Sequence, residues 1–157
     1  MGSSRPTTMF KIRPFQERDW PAVLRVHDAA RPDELEGSCD PRAFVPLAED
    51  PEIEELKTSR IWVAEADGRV IGFTAVDSRY LGWLYVDPDF YGRGIGRSLL
   101  QHALQEQGGK SWTVVLEGNT PALNLYRSEG FEIVDRFESE NAGYPCTCLR
   151  LSRPALP

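Results

Sequence analysis

The sequence predicts a single domain of the α/β class, and three observations support that prediction. Short β-rich runs alternate with amphipathic helical segments along the 157 residues, in the order β-α-α-β-β-β-α-β-α-β-β. An Asp67-Gly68 turn separates two β-branched runs, which is a strong hairpin signal. A glycine-rich turn at residues 92–96 joins a strand to a strongly periodic helix. We expect one domain over residues 9–157, with residues 1–8 as a polar, flexible tail or an expression remnant.

The first part of the chain is predicted to hold one strand and one long helix. Residues 10–13 have the pattern of a strand. Asp19 precedes an apolar stripe that begins after Pro21, which indicates a capped helix. Residues 32–51 are rich in Pro, Gly and acids, and this composition predicts a loop. Two short helical stretches are expected within and after that loop, at residues 41–49 and 51–59.

The second part alternates strands with helices. The hairpin pairs residues 61–65 with residues 70–76 across the Asp-Gly turn. A helix over residues 95–107 is indicated by apolar residues that recur on one face, namely Ile95, Leu99, Leu100, Ala103 and Leu104. The remaining predictions are strands at 81–86, 112–116, 131–138 and 144–151, and a helix at 120–128.

The glycines at positions 92, 94 and 96 point to a phosphorylated ligand. They leave backbone N–H groups uncovered at the positive end of a helix dipole, where phosphate binds readily. A P-loop is excluded because no pair of glycines spaced by four residues precedes Lys-Ser/Thr, and a dinucleotide fingerprint is excluded because Arg97 stands where Gly or Ala is needed. A plain strand-to-helix connection without ligand is the other alternative, although each glycine costs about 1 kcal/mol inside a helix.

The segment around these glycines resembles the acetyl-CoA motif of the GNAT superfamily of N-acetyltransferases. That family shows Gln/Arg-x-x-Gly-x-Gly/Ala after a strand that reads Leu-x-Val-x-Pro. Here the strand part is Leu84-Tyr85-Val86-Asp87-Pro88, and the loop part is Tyr91-Gly92-Arg93-Gly94-Ile95-Gly96. Tyr91 stands where Gln or Arg is usual, so we expect weaker side-chain help in holding the pyrophosphate.

A later segment supports the same resemblance. Residues 119–131 are similar to the family signature Asn-x-x-Ala-x-x-x-Tyr-x-x-x-Gly-Phe. Their local chemistry also suits a helix, since Asn119 or Thr120 can cap it, Pro121 fits its first turn and Gly130 fits a left-handed stop. The two motifs occur in the family order, and the resemblance extends over residues 10–152.

The resemblance implies a fold, an activity and a set of cofactor contacts. The fold is a single mixed, mostly antiparallel sheet flanked by helices on both faces, in which a bulged strand at 81–86 splays from the strand at 112–116. The activity is direct transfer of acetyl from acetyl-CoA to a primary amine, with CoA as product. Two residues that the resemblance places at the cofactor also have a structural alternative, Asn119 as a plain helix cap and Arg127 as a solvated helix residue. The implied cofactor-binding residues are Leu84, Tyr85, Val86, Tyr91, Gly92, Arg93, Gly94, Ile95, Gly96, Arg97, Ser98, Asn119, Asn124, Tyr126 and Arg127.

For catalysis, the resemblance assigns the proton donor but not the base. Tyr126 occupies the position of the family's general acid, and a tyrosine of ordinary pKa is protonated at neutral pH. Many members carry a Glu two residues before the Leu-x-Val, where this chain has Gly82. The general base therefore stays open among Asp77, Tyr80, Glu117 and an ordered water chain.

Composition narrows the partners. The net charge is −6 without any block of Lys or Arg, which disfavours nucleic acid, and no apolar run approaches the ~20 residues of a membrane span. The acceptor is expected to be an amine of a small molecule or a peptide, with residues 32–59 and 138–145 as walls of its site. Acids gathered between residues 28 and 55 form either a solvated face or an edge that attracts a cation. A homodimer is left open.

The three cysteines predict reduced thiols. Cys39, Cys146 and Cys148 are odd in number and show neither a Cys-x-x-Cys pattern nor the spacing of metal ligands. With no secretory signal recognised, we expect a cytoplasmic protein without metal. The alternative function is an acyl-CoA-binding sensor of the same fold without turnover, and a CoA-free partner-binding domain is a third reading.

Overall fold

The computed structural model describes residues 8–154, whose strands form one seven-stranded sheet in the order β1-β2-β3-β4-β5-β7-β6. Neighbouring strands are antiparallel except β4 and β5, which are parallel. The predicted mixed, mostly antiparallel sheet is confirmed. The tail expected over residues 1–8 lies outside the described residues except for Thr8. The strands are β1 (Lys11–Pro14), β2 (Arg60–Ala66), β3 (Arg69–Asp77), β4 (Tyr80–Val86), β5 (Ser111–Leu116), β6 (Glu132–Asn141) and β7 (Tyr144–Arg153).

Helices cover both faces of this sheet. On one face α1 packs against β3 and β4, and its Val23 and Val26 join Val63 in one core cluster. On the other face α3 packs against the same strands, and its Leu99 joins Ala64. Neighbouring strand residues thus face opposite layers, as the pleat requires. The helices are α1 (Trp20–Leu35), α2 (Ile53–Thr58), α3 (Ile95–Glu106) and α4 (Thr120–Ser128), and α4 lies on the α3 face. No helix among the described residues is long and apolar enough to cross a bilayer.

Helix α1 is longer than its sequence predicts, because it continues through Pro32 to Leu35. The prediction that a loop begins at residue 32 is therefore wrong. Proline removes one backbone hydrogen bond, but Leu35 is 1% exposed, and its burial against Ala43 and Cys146 holds the last turn in place. The consequence is that the acids just after Pro32 lie on a rigid helix that faces the sheet.

Strand β4 carries a bulge and then leaves its neighbour. Val76 pairs with Leu81 and Ala75 with Trp83, so Gly82 is the extra residue on β4. In the described chain β4 and β5 pair at a single position, Tyr80 with Trp112, whose rings lie 4.3 Å apart. Beyond this point the two strands separate. The bulge and the splay implied by the resemblance are both present.

The β2–β3 and β6–β7 hairpins differ in how well the sequence predicts them. Asp67 and Gly68 have φ of 51° and 76°, which confirms the predicted two-residue turn between β2 and β3. Between β6 and β7 the turn is shorter than the expected segment 138–145. Strand pairing continues to Asn141, because Ala142 and Gly143 adopt the left-handed conformations that close a tight hairpin.

The prediction of three reduced cysteines is wrong for one pair. Cys39, in the segment after α1, forms a disulfide with Cys146 at the start of β7, and their Cα atoms lie 5.4 Å apart. Cys148 is free and buried beside them. The two bonded cysteines are 107 residues apart in the chain, so only the tertiary packing brings them together.

Candidate active site

A cavity of about 780 Å³ lies where β4 and β5 separate. The end of α1 lines it from one face of the sheet, and the glycine loop and α4 line it from the other. Eleven of the fifteen residues expected to bind the cofactor lie on its wall: Leu84, Tyr85, Val86, Tyr91, Gly92, Gly94, Ile95, Gly96, Arg97, Asn119 and Tyr126. Four lie off it: Arg93, Ser98, Asn124 and Arg127.

The glycine loop ends at the first turn of α3. Gly94 is the N-cap of this helix with φ of +80°, a conformation that glycine adopts without strain. Ser98 donates its N–H to the Gly94 carbonyl, so the N–H groups of residues 95–97 precede the first helical hydrogen bond. These amides lie at the positive end of the α3 dipole and beside the cavity, which makes this end suitable for an anion.

The two side chains next to the glycines make different contacts. Arg97 lines the cavity and is held by Glu129, whose carboxylate accepts a hydrogen bond at 2.6 Å. Arg93 is turned elsewhere, because it donates to the Thr8 hydroxyl at 2.8 Å and stacks on the ring of Phe90. Of these two side chains, Arg97 therefore lies on the cavity wall and Arg93 does not.

Tyr91 connects the glycine loop to α1. Its hydroxyl donates to Asp33 Oδ2 at 3.1 Å, and burial together with this carboxylate raises the pKa of Tyr91. The residue that departs from the family pattern thus contacts the far wall of the cavity.

Helix α4 presents Asn119 and Tyr126 to the cavity. The Asn119 side chain accepts the Ala122 N–H at 3.4 Å, so the residue caps α4 and also lines the cavity. Asn124 and Arg127 are exposed on the outer side of α4. Both readings of Asn119, as cap and as cavity residue, are compatible with this position.

Tyr126 is 6% exposed and lies on the cavity wall. Its ring meets Phe131 edge-to-face at 5.2 Å, which fixes the ring plane. Burial is the main cause that raises the pKa of Tyr126. The phenol therefore stays protonated at neutral pH and can donate a proton.

Carboxylates from the end of α1 form the opposite wall. Asp33, Glu34 and Glu36 all line the cavity, and Glu34 accepts a hydrogen bond from the Tyr85 hydroxyl at 2.7 Å. The sequence shows an acidic stretch here, but it does not distinguish these three residues from the others. The helical spacing of Ala30, Asp33 and Glu34 (i, i+3, i+4) across Pro32 is the signal that could have placed two of these carboxylates on one face, whereas Glu36 follows the end of the helix.

None of the described side chains considered for the general base lines this cavity. Glu117 is bound to Arg136 at 3.0 Å, and this contact lowers the pKa of Glu117. Burial raises the pKa of Tyr80 to about 12, and Asp77 is exposed at the end of β3. None of these three residues is therefore placed to act as a general base in this cavity.

Gly82 lies on the cavity wall, and a neighbouring ring occupies the place of its missing side chain. A Cβ at Gly82 would lie 2.9 Å from the ring of Tyr80. Because Tyr80 is stacked on Trp112, a larger residue here would have to move that pair.

The chain is similar in sequence to known acetyltransferases. The family described as acetyltransferase (GNAT) domain matches residues 57–133. Over 117 residues the chain is 35% identical to peptidyl-lysine N-acetyltransferase YjaB of Salmonella typhimurium, covering 71% of this chain and 80% of that protein. It is 36% identical over 95 residues to peptidyl-lysine N-acetyltransferase YiaC of Escherichia coli, covering 60% of this chain and 62% of the relative, which is less than two thirds of its length.

Solved structures show the same fold. A GCN5-related N-acetyltransferase from Rhodopseudomonas palustris superposes with a TM-score of 0.82 at 17% identity, covering 98% of this chain and all of that one. The PaiA N-acetyltransferase of Thermoplasma acidophilum, solved in complex with coenzyme A, has a TM-score of 0.69 at 16% identity and covers 92% and 98% of the two chains.

Proposed function

This chain belongs to the GNAT family of acetyltransferases, which transfer acetyl from acetyl-CoA to an amine, and we propose that the transfer takes place in the cavity at the β4–β5 splay. One observation carries the proposal. A single cavity receives the glycine loop and Tyr126 from one face of the sheet, and carboxylates from the other face. Cofactor and amine can therefore approach each other from opposite faces and meet between the strands.

The cofactor is proposed to lie along β4 and the start of α3. Its pyrophosphate would accept hydrogen bonds from the amides of residues 95–97 and from Arg97. Because β4 has no strand partner within residues 8–154 beyond Tyr80 on its β5 side, backbone groups of residues 84–86 are proposed to bind the pantetheine amides. Ser98, Asn124, Arg127 and Arg93, which lie off the cavity, are proposed to contact only the outer part of the cofactor.

The chemistry proposed for the site is attack by a neutral amine on the thioester carbonyl. The nitrogen–carbon bond forms, the carbon–sulfur bond breaks, and Tyr126 gives its proton to the departing thiolate and takes the excess proton from the nitrogen. The bulge at Gly82 leaves backbone groups unpaired along the same wall, and an N–H there would stabilise the oxyanion. Alignment of two substrates in one cavity contributes several kcal/mol more.

For the acceptor, we propose the side-chain amine of a lysine in a peptide or protein. Two relatives that are 35% and 36% identical are named as peptidyl-lysine N-acetyltransferases. The carboxylates at the end of α1 suit a cationic group, and the net charge of −6 disfavours nucleic acid. We further propose a cytoplasmic location with no membrane or nucleic-acid partner.

Sedimentation of the purified protein would show whether it forms a homodimer.

The test combines cofactor binding with turnover. The melting temperature should rise by several degrees with saturating acetyl-CoA or CoA, because a ligand that binds the native state stabilises it. Thiol release should then depend on an added amine. It should be faster with a peptide that contains one lysine and a blocked N-terminus than with small amines. A thermal shift without release by any amine would favour the non-catalytic sensor, which gains no support from the comparisons. Absence of a shift would refute the cofactor site.

A further inference from the structure

Among the carboxylates that line the cavity, Glu34 accepts hydrogen bonds from two donors of the described chain. Its Oε1 accepts from the Tyr85 hydroxyl at 2.7 Å and from the guanidinium of Arg31. Its side chain is 25% exposed, whereas Asp33 and Glu36 are exposed at the rim. No described donor binds Oε2, which leaves this oxygen available to a ligand in the cavity.

Glu34 and Tyr126 enter the cavity from opposite faces of the sheet. α1 lies on one face and α4 on the other, and the splay removes the strand backbone that would separate them. The charge of Glu34 also contributes to the raised pKa of Tyr126, after burial, so the two groups are electrostatically coupled. A substrate amine between them would contact a carboxylate on one side and the reacting thioester on the other.

The chemistry requires a group in this place. A lysine amine has a pKa of about 10.4, so roughly one molecule in 2,500 is neutral at pH 7. The other polar groups beside Glu34 cannot accept the proton of the lysine ammonium group. Arg31 is always charged, and the pKa values of Tyr85 and Tyr126 are raised above ordinary tyrosine, chiefly by burial.

We propose that Glu34 binds the acceptor's ammonium group and removes its proton, with Tyr85 and Arg31 as the residues that position it. This inference rests on the proposed function. The ammonium gives one proton to Glu34, and the neutral nitrogen then attacks the thioester carbon. As the carbon–sulfur bond breaks, Tyr126 protonates the thiolate and takes the second proton from the nitrogen. Glu34 releases its proton to water, so the products are the amide, CoA thiol and one proton.

The test compares Glu34→Gln with Glu52→Gln, using a blocked peptide that contains one lysine. Gln keeps an oxygen for Tyr85 and Arg31 and loses only the charge and the basicity. Glu52 is a matched control because its carboxyl is coupled to Arg31 and Glu34 but does not line the cavity. At pH 7, kcat/KM for the peptide should fall at least 100-fold in the Glu34 variant. It should stay within twofold in the control, and both variants should keep the thermal shift with CoA.

A pH series separates a catalytic role from a structural one. In Glu34→Gln the rate should rise about tenfold per pH unit between pH 7 and 9, because the neutral fraction of the amine rises by that factor. The wild-type rate should rise less. Of the titratable groups that face Glu34, Arg31 remains charged and Tyr85, Tyr91 and Tyr126 remain protonated over this range. Asp33 and Glu36 on the same wall are unchanged in both variants, and Glu52→Gln controls for a carboxyl outside the cavity.

The outcomes are distinct. Equal rates in the two variants, or an equal loss at pH 7 and pH 9 in Glu34→Gln, would overturn the role of Glu34 alone. A wild-type protein without a thermal shift would overturn the proposed function instead. If Glu34→Gln does not fold, Tyr85→Phe provides the second test. It removes the 2.7 Å donor and should raise KM for the peptide about tenfold while the CoA shift persists.

Discussion

Reduction of the Cys39–Cys146 disulfide should destabilise the protein strongly, because the bond closes most of the chain into a loop. It joins residues 107 apart, and closing a loop of that size removes chain entropy from the unfolded state worth about 4.7 kcal/mol. Unfolding entropy of about 2.1 cal/mol/K per residue over the whole chain converts this value to a melting-temperature drop of about 14 °C. The apolar cluster around the pair persists without the bond, so the drop should be measurable as a shift of one cooperative transition.

The assay is a thermal melt with and without a thiol reductant, joined to counting of thiols by mass. Denatured protein should take one alkyl label without reductant, at Cys148, and three after reduction. Cys39→Ser is the matched variant, and its melting temperature should be low and insensitive to reductant. Three labels without reductant, or identical melts in both conditions, would refute the reasoning.

The same bond lies close to the acceptor wall. It ties the segment after α1 to β7, and Arg31 makes a second tie by donating to Asn141 at 3.0 Å. Reduction should therefore raise KM for the amine more than it weakens CoA binding, because the glycine loop lies on the opposite face. Equal changes in both constants would contradict this separation of the two walls.

Three further predictions follow from single contacts. Tyr126→Phe should lower kcat by about 100- to 10,000-fold and leave the melting temperature within about 2 °C, since only a hydroxyl is lost; stopped thiol-release assays measure it. Gly94→Ala should weaken CoA binding about tenfold in a calorimetric titration. Gly108→Ala is the matched control, because Gly108 has φ of +75° against +80° at Gly94 and both glycines have open space around them. The control should therefore carry similar strain and leave CoA binding unchanged. Asp19→Asn should cost about 2–3 kcal/mol in urea unfolding at pH 7, since Arg13 binds both carboxylate oxygens at 2.8 and 2.9 Å. Because Arg13 lowers the pKa of Asp19, that stability is present above the unfolded pKa of about 3.9 and lost as pH falls through the lower folded value, where wild type and variant should converge.

Much of the fold could be predicted because its signals are local. The Asp67-Gly68 turn, the left-handed Gly94 before α3 and the cap at Asn119 each act within a few residues of themselves. The apolar stripe of α3 repeats at helical spacing and therefore needs no knowledge of its partner. By the same logic residues 92–96 alone predict a loop suited to phosphate.

Where local signals conflict with distant packing, the sequence misleads. Pro32 is a strong sign that a helix ends, yet α1 continues because Leu35 is buried against residues from other elements. The position of Gly82 indicated a missing base, but the Tyr80 ring that fills its place could not be foreseen. A proline inside a helix costs about 3 kcal/mol, and burial of one large side chain contributes about 1.5–3 kcal/mol, so packing against distant residues can offset most of the local preference.

The sequence by itself predicted the class of fold and a phosphate loop, since both depend on short-range spacing, and it pointed to Tyr126 as a candidate acid through the resemblance to the GNAT family. Only the tertiary structure decided which of the cavity carboxylates is held by Tyr85, because Glu34 and this donor are 51 residues apart. It also decided the Cys39–Cys146 bond, across 107 residues. Contacts at such separations depend on how the helices pack on the sheet, and that packing is a property of the whole chain.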